Sequence, residues 1–454
     1  MGAFEMKMIR IAAVILAVLC LSACTAGKTD ESGVNSPDPT PSAEQTLAQT
    51  FPLGGQELEA DATEATLVSG EYSGDQLLEQ LGAFSAMQKV ILPETELSFE
   101  QLDALRKAYP EIGFEYTVKL LDEVLKPDIA EIDLSGLMPE QVEDAVKKLQ
   151  MLPELTQVEL MNGDKCALSV EDVKLLRDGL PEASIHYVFE LFGQSVSTTD
   201  ERVEYDEVEI GNEGEASIRA ALSILQDGTY VKFDDCGIDS EVMAGIRDDY
   251  PNLKVVWRVH CGYFDLLTDE EMVRAIFDLN DSNCHELKYC TEVKYMDIGH
   301  NDNLTDISFI SYMPKLEILI LSGSPFTDTT PFANCPNLEW FEIVWCGYVT
   351  DISSLENCPN LKYVNISHTQ VTDLSALEDK PLERFVYYTP KVSADQEAEF
   401  IAQHPDCWVS FRGKNEYMKG WRYDDDAGGQ PCEMYSKVRE VFRYDENFYN
   451  HKGA

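Results

Sequence analysis

The sequence predicts an α/β solenoid, with one curved parallel sheet of about fifteen short strands and helical or turn returns on its convex side. Two observations lead to this fold class. Residues 293–389 repeat with a period of 22 or 23 residues. Farther upstream, longer segments align on a proline and have the pattern of a helix followed by a strand. Both patterns place successive strands at similar intervals, so we expect them to stack into one continuous structure.

The short repeats begin at Val293, Leu316, Leu338 and Leu361. Each copy starts apolar-x-x-apolar-x-apolar and later places an apolar residue before a Thr-Asp pair. A fifth copy, at Leu382, keeps the head and loses that pair. This head and this period are the signature of leucine-rich repeats. One unit cannot bury its apolar side alone, so the stacked copies must share one core.

A second column supports the repeat, eight residues after each start. It holds Asn301, Ser324, Cys346 and Thr369. Side chains of this kind satisfy backbone groups where the chain turns away from the strand. With its TDIS-x-L return, the stretch resembles the internalin-like class of bacterial leucine-rich repeats, and the resemblance implies short strands with turn-like returns.

The longer segments span residues 97–116, 168–187, 238–257 and 392–411. Each has apolar residues at helical spacing, then a proline that ends the helix, then an alternating apolar pattern typical of a strand. The helices are expected to begin at the N-caps Ser98, Ser169, Asp239 and Ser393. Further strands are predicted around Leu67 and at 90–92, 132–134, 158–160, 208–210 and 231–233. The long interval after Val255 predicts an insertion with a helix around Asp269–Leu279.

Two local motifs extend the resemblance to the whole chain. They are the LRxxYP-type segments and the sequence YCTEVKYMDIGH, which begins at Tyr289. With them the chain resembles large leucine-rich repeat lipoproteins of clostridial gut anaerobes. This resemblance implies a lipid-anchored repeat protein and no particular activity.

The N-terminus has the features of a secretion signal. Lys7 and Arg10 precede a short apolar run, and the run ends in Leu-Ser-Ala before Cys24. A positive region, a short apolar region and small residues before the cut describe a signal peptide. The Leu-Ser-Ala-Cys ending resembles a bacterial lipobox, which implies cleavage before Cys24 and lipidation of that residue. The alternatives are an ordinary signal peptide or a membrane anchor.

These patterns divide the chain into five parts. Residues 1–23 are the predicted lipoprotein signal peptide, and 24–60 are a disordered tether rich in Ser, Thr, Pro and Gly. Residues 61–291 form a strand–helix section, and 292–411 the short repeats with the last strand. Residues 412–454 are expected to form a C-terminal cap, with a short helix near Glu433–Phe442, because a terminal repeat must be covered.

Charge and cysteine usage narrow the range of partners. The formal net charge is −47, which disfavours binding to nucleic acid and favours cationic or neutral partners. Cys290, Met313, Cys335 and Cys358 share one repeat column, and a column that accepts both Met and Cys faces inward. Neighbouring repeats are close enough for a disulfide between Cys335 and Cys358. The alternative is a pair of buried free thiols.

Sequence motifs for catalysis are lacking. There is no G-x-S-x-G, H-E-x-x-H, P-loop or Rossmann glycine pattern, and no CxxC pair for zinc. The histidines are scattered along the chain. We therefore expect no catalytic residue, no metal site and no cofactor, and we interpret the protein as a binding module instead of an enzyme.

The best candidate site is the concave face of the short repeats. Side chains at alternate strand positions point away from the core. Those positions hold Tyr295, Asp297, Ile318, Ile320, Trp340, Glu342, Tyr363, Asn365, Arg384 and Tyr388. Aromatic and arginine enrichment is typical of binding hot spots. Upstream, concave positions such as Glu131, Asp133, Glu207 and Glu209 are acidic.

Several functions fit this face. The favoured one is a protein partner bound at the cell surface, in adhesion or in an envelope interaction. A glycan or cell-wall ligand could instead stack on Trp340 and Tyr363. A scaffold of the envelope without a soluble ligand is a further alternative. In addition, the tail 412–454 could fold back and cover the aromatic stripe, in which case these residues would be core.

Overall fold

The computed structural model of the chain describes residues 49–424, 429–446 and 448–450. The predicted signal peptide, Cys24 and most of the predicted tether lie outside these residues. Residues 50 onward form one compact unit. Among the described residues, no helix is long and apolar enough to cross a membrane.

The first described element is an antiparallel hairpin of β1 (Thr50–Leu53) and β2 (Gln56–Glu59). Leu53 is fully buried, and Phe51 packs edge-to-face against Phe84 at a centroid distance of 5.9 Å. The predicted tether therefore extends too far at its C-terminal end. Its last ten residues pack against the N-terminal end of the core. They do so through the apolar side chains of Phe51, Leu53 and Leu58.

Three similar modules follow, each with the order strand, helix, strand, helix, strand, hairpin. The first contains β3 (Glu64–Thr66), α1 (Gly74–Gln80), β4 (Lys89–Leu92), α2 (Phe99–Ala108), β5 (Gly113–Tyr116), β6 (Val118–Leu120) and β7 (Glu123–Leu125). The second contains β8 (Glu131–Asp133), α3 (Val142–Leu149), β9 (Gln157–Glu159), α4 (Val170–Gly179), β10 (Ser184–His186), β11 (Val188–Leu191) and β12 (Gln194–Ser197). The third contains β13 (Arg202–Asp206), α5 (Glu215–Leu222), β14 (Tyr230–Asp234), α6 (Ser240–Asp249), β15 (Lys254–Cys261) and β16 (Phe264–Leu267).

Seven parallel strands and their returns complete the solenoid. The strands are β17 (Met272–Arg274), β18 (Tyr295–Asp297), β19 (Ile318–Ile320), β20 (Trp340–Glu342), β21 (Tyr363–Asn365), β22 (Arg384–Tyr387) and β23 (Trp408–Phe411). The returns are 3-10 turns at His285–Tyr289, Ser308–Tyr312, Thr330–Asn334, Ser353–Asn357 and Ser375–Leu377, then helix α7 (Ala394–Gln403). After β23 come α8 (Lys414–Met418), a 3-10 turn at Gly420–Arg422, α9 (Glu433–Val441) and a 3-10 turn at Tyr444–Glu446.

The prediction of one continuous sheet is wrong, because the parallel strands divide among four sheets. Their orders are β3-β4-β5, β8-β9-β10, β13-β14-β15-β16 and β17 to β23. At the last parallel strand of two of the sheets, a threonine forms hydrogen bonds with backbone groups of that strand or of the residue that follows it. Thr198 binds the amide and the carbonyl of Tyr187, and Thr268 does the same at Trp257. These contacts occupy backbone groups that the next parallel strand would otherwise use.

Two predicted elements differ from the observed ones. The strand predicted at 208–210 is observed earlier, as β13. The helix predicted around Asp269–Leu279 is wrong, because this stretch contains the short strand β17, which pairs with β18. The long interval after Val255 therefore holds the β15–β16 hairpin and one additional repeat strand.

The helix signals agree well with the structure. Ser98, Ser169 and Ser393 cap α2, α4 and α7 through reciprocal capping boxes. Asp239 occupies the N-cap position of α6, but its side chain accepts a hydrogen bond from Asn212 Nδ2 at 2.7 Å instead of capping the helix.

The repeat columns also behave as predicted. The column of Cys290, Met313, Cys335 and Cys358 is fully buried, and the cysteines are free thiols. In the second column, Asn301 Nδ2 donates to the carbonyls of Ala275 and Ile298, each at 2.8 Å. The repeats therefore have the architecture of a leucine-rich repeat protein, with inward columns that share one core.

Candidate functional site

The predicted site residues do share one face of the sheet. Strand register aligns Tyr295, Ile318, Trp340, Tyr363 and Arg384 in one row. A second row contains Asp297, Ile320, Glu342 and Asn365. Tyr388 follows the end of β22 and lies outside both rows. We call the side of the sheets opposite the helices and turns the front face.

The front face of the short repeats is covered by the described C-terminal residues 412–424, 429–446 and 448–450, which we call the cap. Trp340 is fully buried, and its ring lies 4.3 Å from that of Trp421, measured between centroids. Ile318, Ile320, Trp340, Tyr363 and Val386 form one apolar cluster with five cap residues, Trp421, Cys432, Met434, Val438 and Phe442. The prediction that the aromatic stripe is an open binding surface is therefore wrong, because apolar cap side chains fill it.

The polar members of the predicted site also bind the cap. Arg422 makes two hydrogen bonds to Glu342, at 2.6 and 2.8 Å. Tyr444 donates to Asp297 at 2.8 Å. Arg384 donates to the carbonyls of Trp421 and Tyr423 at 3.1 and 2.8 Å, and Asn365 Nδ2 donates to the carbonyl of Tyr417 at 3.4 Å. Buried polar groups need such partners, so these contacts fix one position for the cap.

The electrostatics of this interface follow from burial. Burial raises the pKa of Asp297, and the hydrogen bond from Tyr444 opposes the shift. For Arg422, burial alone would lower the pKa, but the carboxylate of Glu342 outweighs it and the net shift is upward. The interface therefore holds a guanidinium at Arg422 that keeps its proton more tightly than usual and a carboxyl group at Asp297 that is harder to ionise than usual.

Arg274 also contacts the cap, and it is not among the predicted site residues. Its backbone N–H donates to Asn450 Oδ1 at 2.6 Å, and its side chain donates to the carbonyls of Phe442 and Phe448. Tyr444 lies over the guanidinium at 4.6 Å from the ring centroid. The alternating pattern around Met272–Arg274 could have identified the strand, but no local signal links Arg274 to residues about 170 positions later.

Upstream, the described residues of the cap do not cover the front face. We call the outward side chains of β3–β5, β8–β10 and β13–β15 the open face. Charges at the two ends of this face are paired. Lys89 lies between Glu64 and Glu115, Lys232 lies between Glu204 and Asp206, and Arg258 binds both oxygens of Asp234.

The middle sheet of the open face is different. Its outward residues are Glu131, Asp133, Gln157, Glu159, Ser184 and His186, with no Lys or Arg among them. Glu131 and Asp133 are exposed. Among these six residues, the one that contacts Glu159 is His186, whose imidazole lies 2.7 Å from the carboxylate. The Ser135 hydroxyl and amide lower the pKa of Asp133, so this carboxylate stays ionised. Of the predicted acidic positions, Glu131 and Asp133 are on the open face, whereas Glu207 and Glu209 follow strand β13.

A second exposed surface lies just past the ends of β20–β22. Trp345 is 59% exposed and stacks on His368 at 3.6 Å between centroids. His368 contacts Tyr388 and, from the cap, Tyr417, and these two tyrosines stack on each other at 4.6 Å. We call Trp345, His368, Tyr388 and Tyr417 the aromatic shelf. Of these four residues, only Tyr388 is among the predicted site residues. An exposed tryptophan just after a repeat strand was the available signal.

His260 and Asp235 line a cavity of about 520 Å³ at the ends of β14 and β15, and Asp265 lies beside this histidine. There His260 lies between Asp265, at 2.6 Å, and Asp235, at 2.9 Å. Both ring nitrogens therefore face carboxylates. Within the described ranges, no group of three His, Cys, Asp or Glu side chains is placed to hold a metal ion.

No family model matches the sequence, and no curated protein matches it. Solved structures that resemble the fold are leucine-rich repeat proteins. An internalin, InlF of Listeria monocytogenes, shares 14% identity over 79% of this chain and 84% of that chain, with a TM-score of 0.27. A leucine-rich repeat protein of Leptospira interrogans shares 15% identity over 73% of this chain and 91% of that chain, with a TM-score of 0.29.

A third similar chain comes from the octameric complex of Latrophilin 3, Unc5D and FLRT2. It shares 14% identity over 57% of this chain and 84% of that chain, with a TM-score of 0.25. TM-scores this low transfer no function to the present chain.

Proposed function

We propose that this chain is a lipid-anchored leucine-rich repeat protein on the extracytoplasmic side of a bacterial membrane, and that it binds a basic surface of a partner protein. Cys24 is the proposed lipidation site, and the chain after it tethers the repeats. The open face is the proposed contact surface. Because the aromatic stripe is occupied by the cap, glycan stacking on Trp340 and Tyr363 is not part of this proposal.

One observation carries the proposal. The middle sheet of the open face displays Glu131, Asp133 and Glu159 with no lysine or arginine beside them, while the sheets on either side pair their charges internally. The flanking sheets place Lys89, Lys232 and Arg258 among their carboxylates, whereas the middle sheet has no lysine or arginine on this face. A concentration of like charge of this kind attracts a cationic partner. Charge complementarity of this kind sets association rate and partner choice.

The binding test compares three forms of the full-length protein as bait in envelope extracts of its own organism. They are the wild type, the triple variant Glu131→Gln/Asp133→Asn/Glu159→Gln, and a control with the same change in charge. The control is Glu143→Gln/Glu154→Gln/Glu182→Gln, three exposed glutamates outside the open face. We expect the wild type and the control to capture the same protein and the triple variant to lose it at low salt. A partner that all three forms capture equally would contradict the proposal.

The salt dependence gives a second readout. An interaction between exposed charges weakens as ionic strength rises, because the Debye length falls to about 8 Å at physiological salt. We therefore expect the difference between wild type and triple variant to shrink as salt is raised. For the anchor, Cys24→Ala should release the protein from the membrane fraction, whereas continued membrane association would count against lipidation.

A further inference from the structure

The aromatic shelf begins at a backbone position where the repeat turns sharply. The residue seven positions after each repeat start has a left-handed conformation in all five repeats. These residues are His300, Gly323, Trp345, His368 and Thr389, with φ values of 59°, 80°, 66°, 64° and 59°. Glycine adopts this conformation at no steric cost. A residue with a side chain can adopt it too, but its Cβ then lies too close to the backbone, which costs conformational energy. A tryptophan at this position is therefore conformationally strained.

Burial of the side chain does not explain why a tryptophan occupies position 345 in this strained conformation. The side chain is 59% exposed, and the nearby Tyr348 and Met418 are 66% and 53% exposed. One face of the indole stacks on His368. On its other side, the neighbour in the same column is Gly323, which has no side chain to cover it. Within the described residues, no aromatic ring or cation other than His368 contacts the indole, so its second face has no stacking partner. Strained non-glycine residues of this kind cluster at ligand clamps.

The charge of the molecule indicates what this face binds. None of the aromatic side chains in the shelf carries a positive charge, and burial lowers the pKa of His368, which keeps the ring neutral. The whole chain carries a formal charge of −47. A second copy of the chain would therefore be repelled, whereas a cation is attracted both by the general field and by the quadrupole of the indole ring.

We propose that the aromatic shelf binds an arginine- or lysine-bearing loop of a partner protein, with the cationic group stacked on the open face of Trp345. This inference deepens the proposed function and rests on it, since both require a basic protein partner. The shelf adds a contact point at the cap end of the molecule, where Tyr417 of the cap completes it.

The test uses defined peptides with the purified full-length protein. The probe is an octapeptide of alternating glycine and arginine. A citrulline peptide of the same length keeps the shape and removes the charge, and a glutamate peptide reverses it. We expect the arginine peptide to bind at physiological salt and Trp345→Ala to weaken binding at least fivefold. Tyr312→Ala removes a comparably exposed aromatic side chain, 54% exposed, from a return segment and should leave binding unchanged.

Trp345→Gly serves as a second variant that is compatible with the backbone, since Gly323 occupies the same column with φ of 80°. It should weaken the arginine peptide as much as Trp345→Ala does. Arginine-peptide binding that both variants leave within twofold of wild type would overturn the proposal. Equal, Trp345-dependent binding of the citrulline peptide or of an N-acetylglucosamine oligomer would overturn it as well, because the recognised group would then not be a cation.

The two proposals can fail separately. If the Glu131/Asp133/Glu159 variant loses the peptide and the Trp345 variants keep it, the shelf proposal is wrong and the open face remains. If the Trp345 variants lose the peptide and the open-face variant keeps it, the shelf proposal is supported. The open-face contact is then decided by its own experiment, the capture of a partner from envelope extracts by the wild type and the triple variant.

Discussion

The rings of Trp340 and Trp421 lie 4.3 Å apart between centroids, and both side chains are fully buried. Trp340 belongs to a repeat strand and Trp421 to the cap, so this contact joins the two parts of the molecule. The front side of the sheet at this point is interior, as is its back side. The front face around Trp340 is therefore part of the folding core, and in this chain it is not a free binding surface.

Removing Trp421 should loosen the cap. Trp421→Ala deletes a fully buried indole and leaves a cavity against Trp340, which typically costs about 3–5 kcal/mol. We expect an earlier urea transition and faster proteolysis of the C-terminal segment. The matched control, Trp408→Ala, removes an indole that is 37% exposed and should cost much less. Equal effects of the two variants would argue against a packed cap.

The Glu342–Arg422 pair should be more sensitive than a surface pair. Glu342→Gln leaves the Arg422 guanidinium partly buried without a counter-charge, which costs about 3–5 kcal/mol when one partner of a buried pair is removed. Asp103→Asn breaks an exposed pair with Lys107 and should cost about 0.5 kcal/mol or less. Urea unfolding of both variants measures the difference. A mild effect of Glu342→Gln would contradict burial of the pair.

Asp297 should make the cap interface less stable as pH rises. Burial raises the pKa of Asp297 above its ordinary value of 3.8, so the folded state holds this proton more tightly than the unfolded state. The resulting stabilisation is complete below the unfolded pKa and is lost as pH rises through the folded pKa. Tyr444, Glu342 and Arg274 are the titratable or charged groups that influence this carboxyl.

The variant Asp297→Asn tests this sign. The wild type should lose stability relative to the variant between pH 4 and pH 7, as measured by urea unfolding at each pH. Asp133→Asn is the opposite control, because Ser135 lowers the pKa of Asp133 and its ionised form is the favoured one. The wild type should gain stability relative to that variant as pH rises toward the ordinary value of 3.8, and it should keep this gain up to pH 7. The same trend for both variants would refute the assignment for Asp297.

The thiols of the inward column should be unreactive. Burial raises the pKa of Cys335 to about 12 and that of Cys358 to about 11, and the thiolate is the reactive form. We expect both to resist a thiol reagent at pH 8 until denaturant is added, while the partly exposed Cys166 reacts in the native protein. A peptide linked through Cys335 and Cys358 in mass spectrometry would show that the disulfide alternative holds instead.

Trp345→Gly should be nearly neutral for stability. Replacing a bulky left-handed residue with glycine relieves about 1–2 kcal/mol of strain, and loss of the stacking on His368 costs about 0.5–1.5 kcal/mol. Thermal unfolding should therefore change little. A large loss of stability would mean that Trp345 has a structural role, and the shelf would lose its main support as a binding surface.

Much of the solenoid could be predicted from sequence, because its columns repeat. Four in-phase copies defined the strands at 295, 318, 340 and 363, and serine caps with a following proline defined the long helices. The hairpins that split the sheet could not be recognised, since Val118–Leu120 and Glu123–Leu125 have the same alternation as any repeat strand. In a single chain, alternation reveals strands but not which strands are neighbours.

Whether the candidate site is exposed or covered by the cap was harder to predict. Outward-facing Trp340 and Tyr363 have the same pattern whether they bind a partner or pack under the chain's own cap. The deciding contacts, Glu342 with Arg422 and Asp297 with Tyr444, join residues 80 and 147 positions apart, and no local pattern encodes such pairs. The aromatic composition of the tail was the available sign that it could cover the stripe.

Hydrogen exchange of the free protein, followed by mass spectrometry, tests the covered front face most directly. Peptides from Glu433–Val441 of the cap are compared with peptides from strands β19–β21. We predict that the cap helix exchanges as slowly as the strands, because its buried side chains Met434 and Val438 belong to the same apolar cluster as Trp340. Exchange of the cap within seconds beside protected strands would contradict this account, and Trp340 and Tyr363 would again be candidates for partner binding.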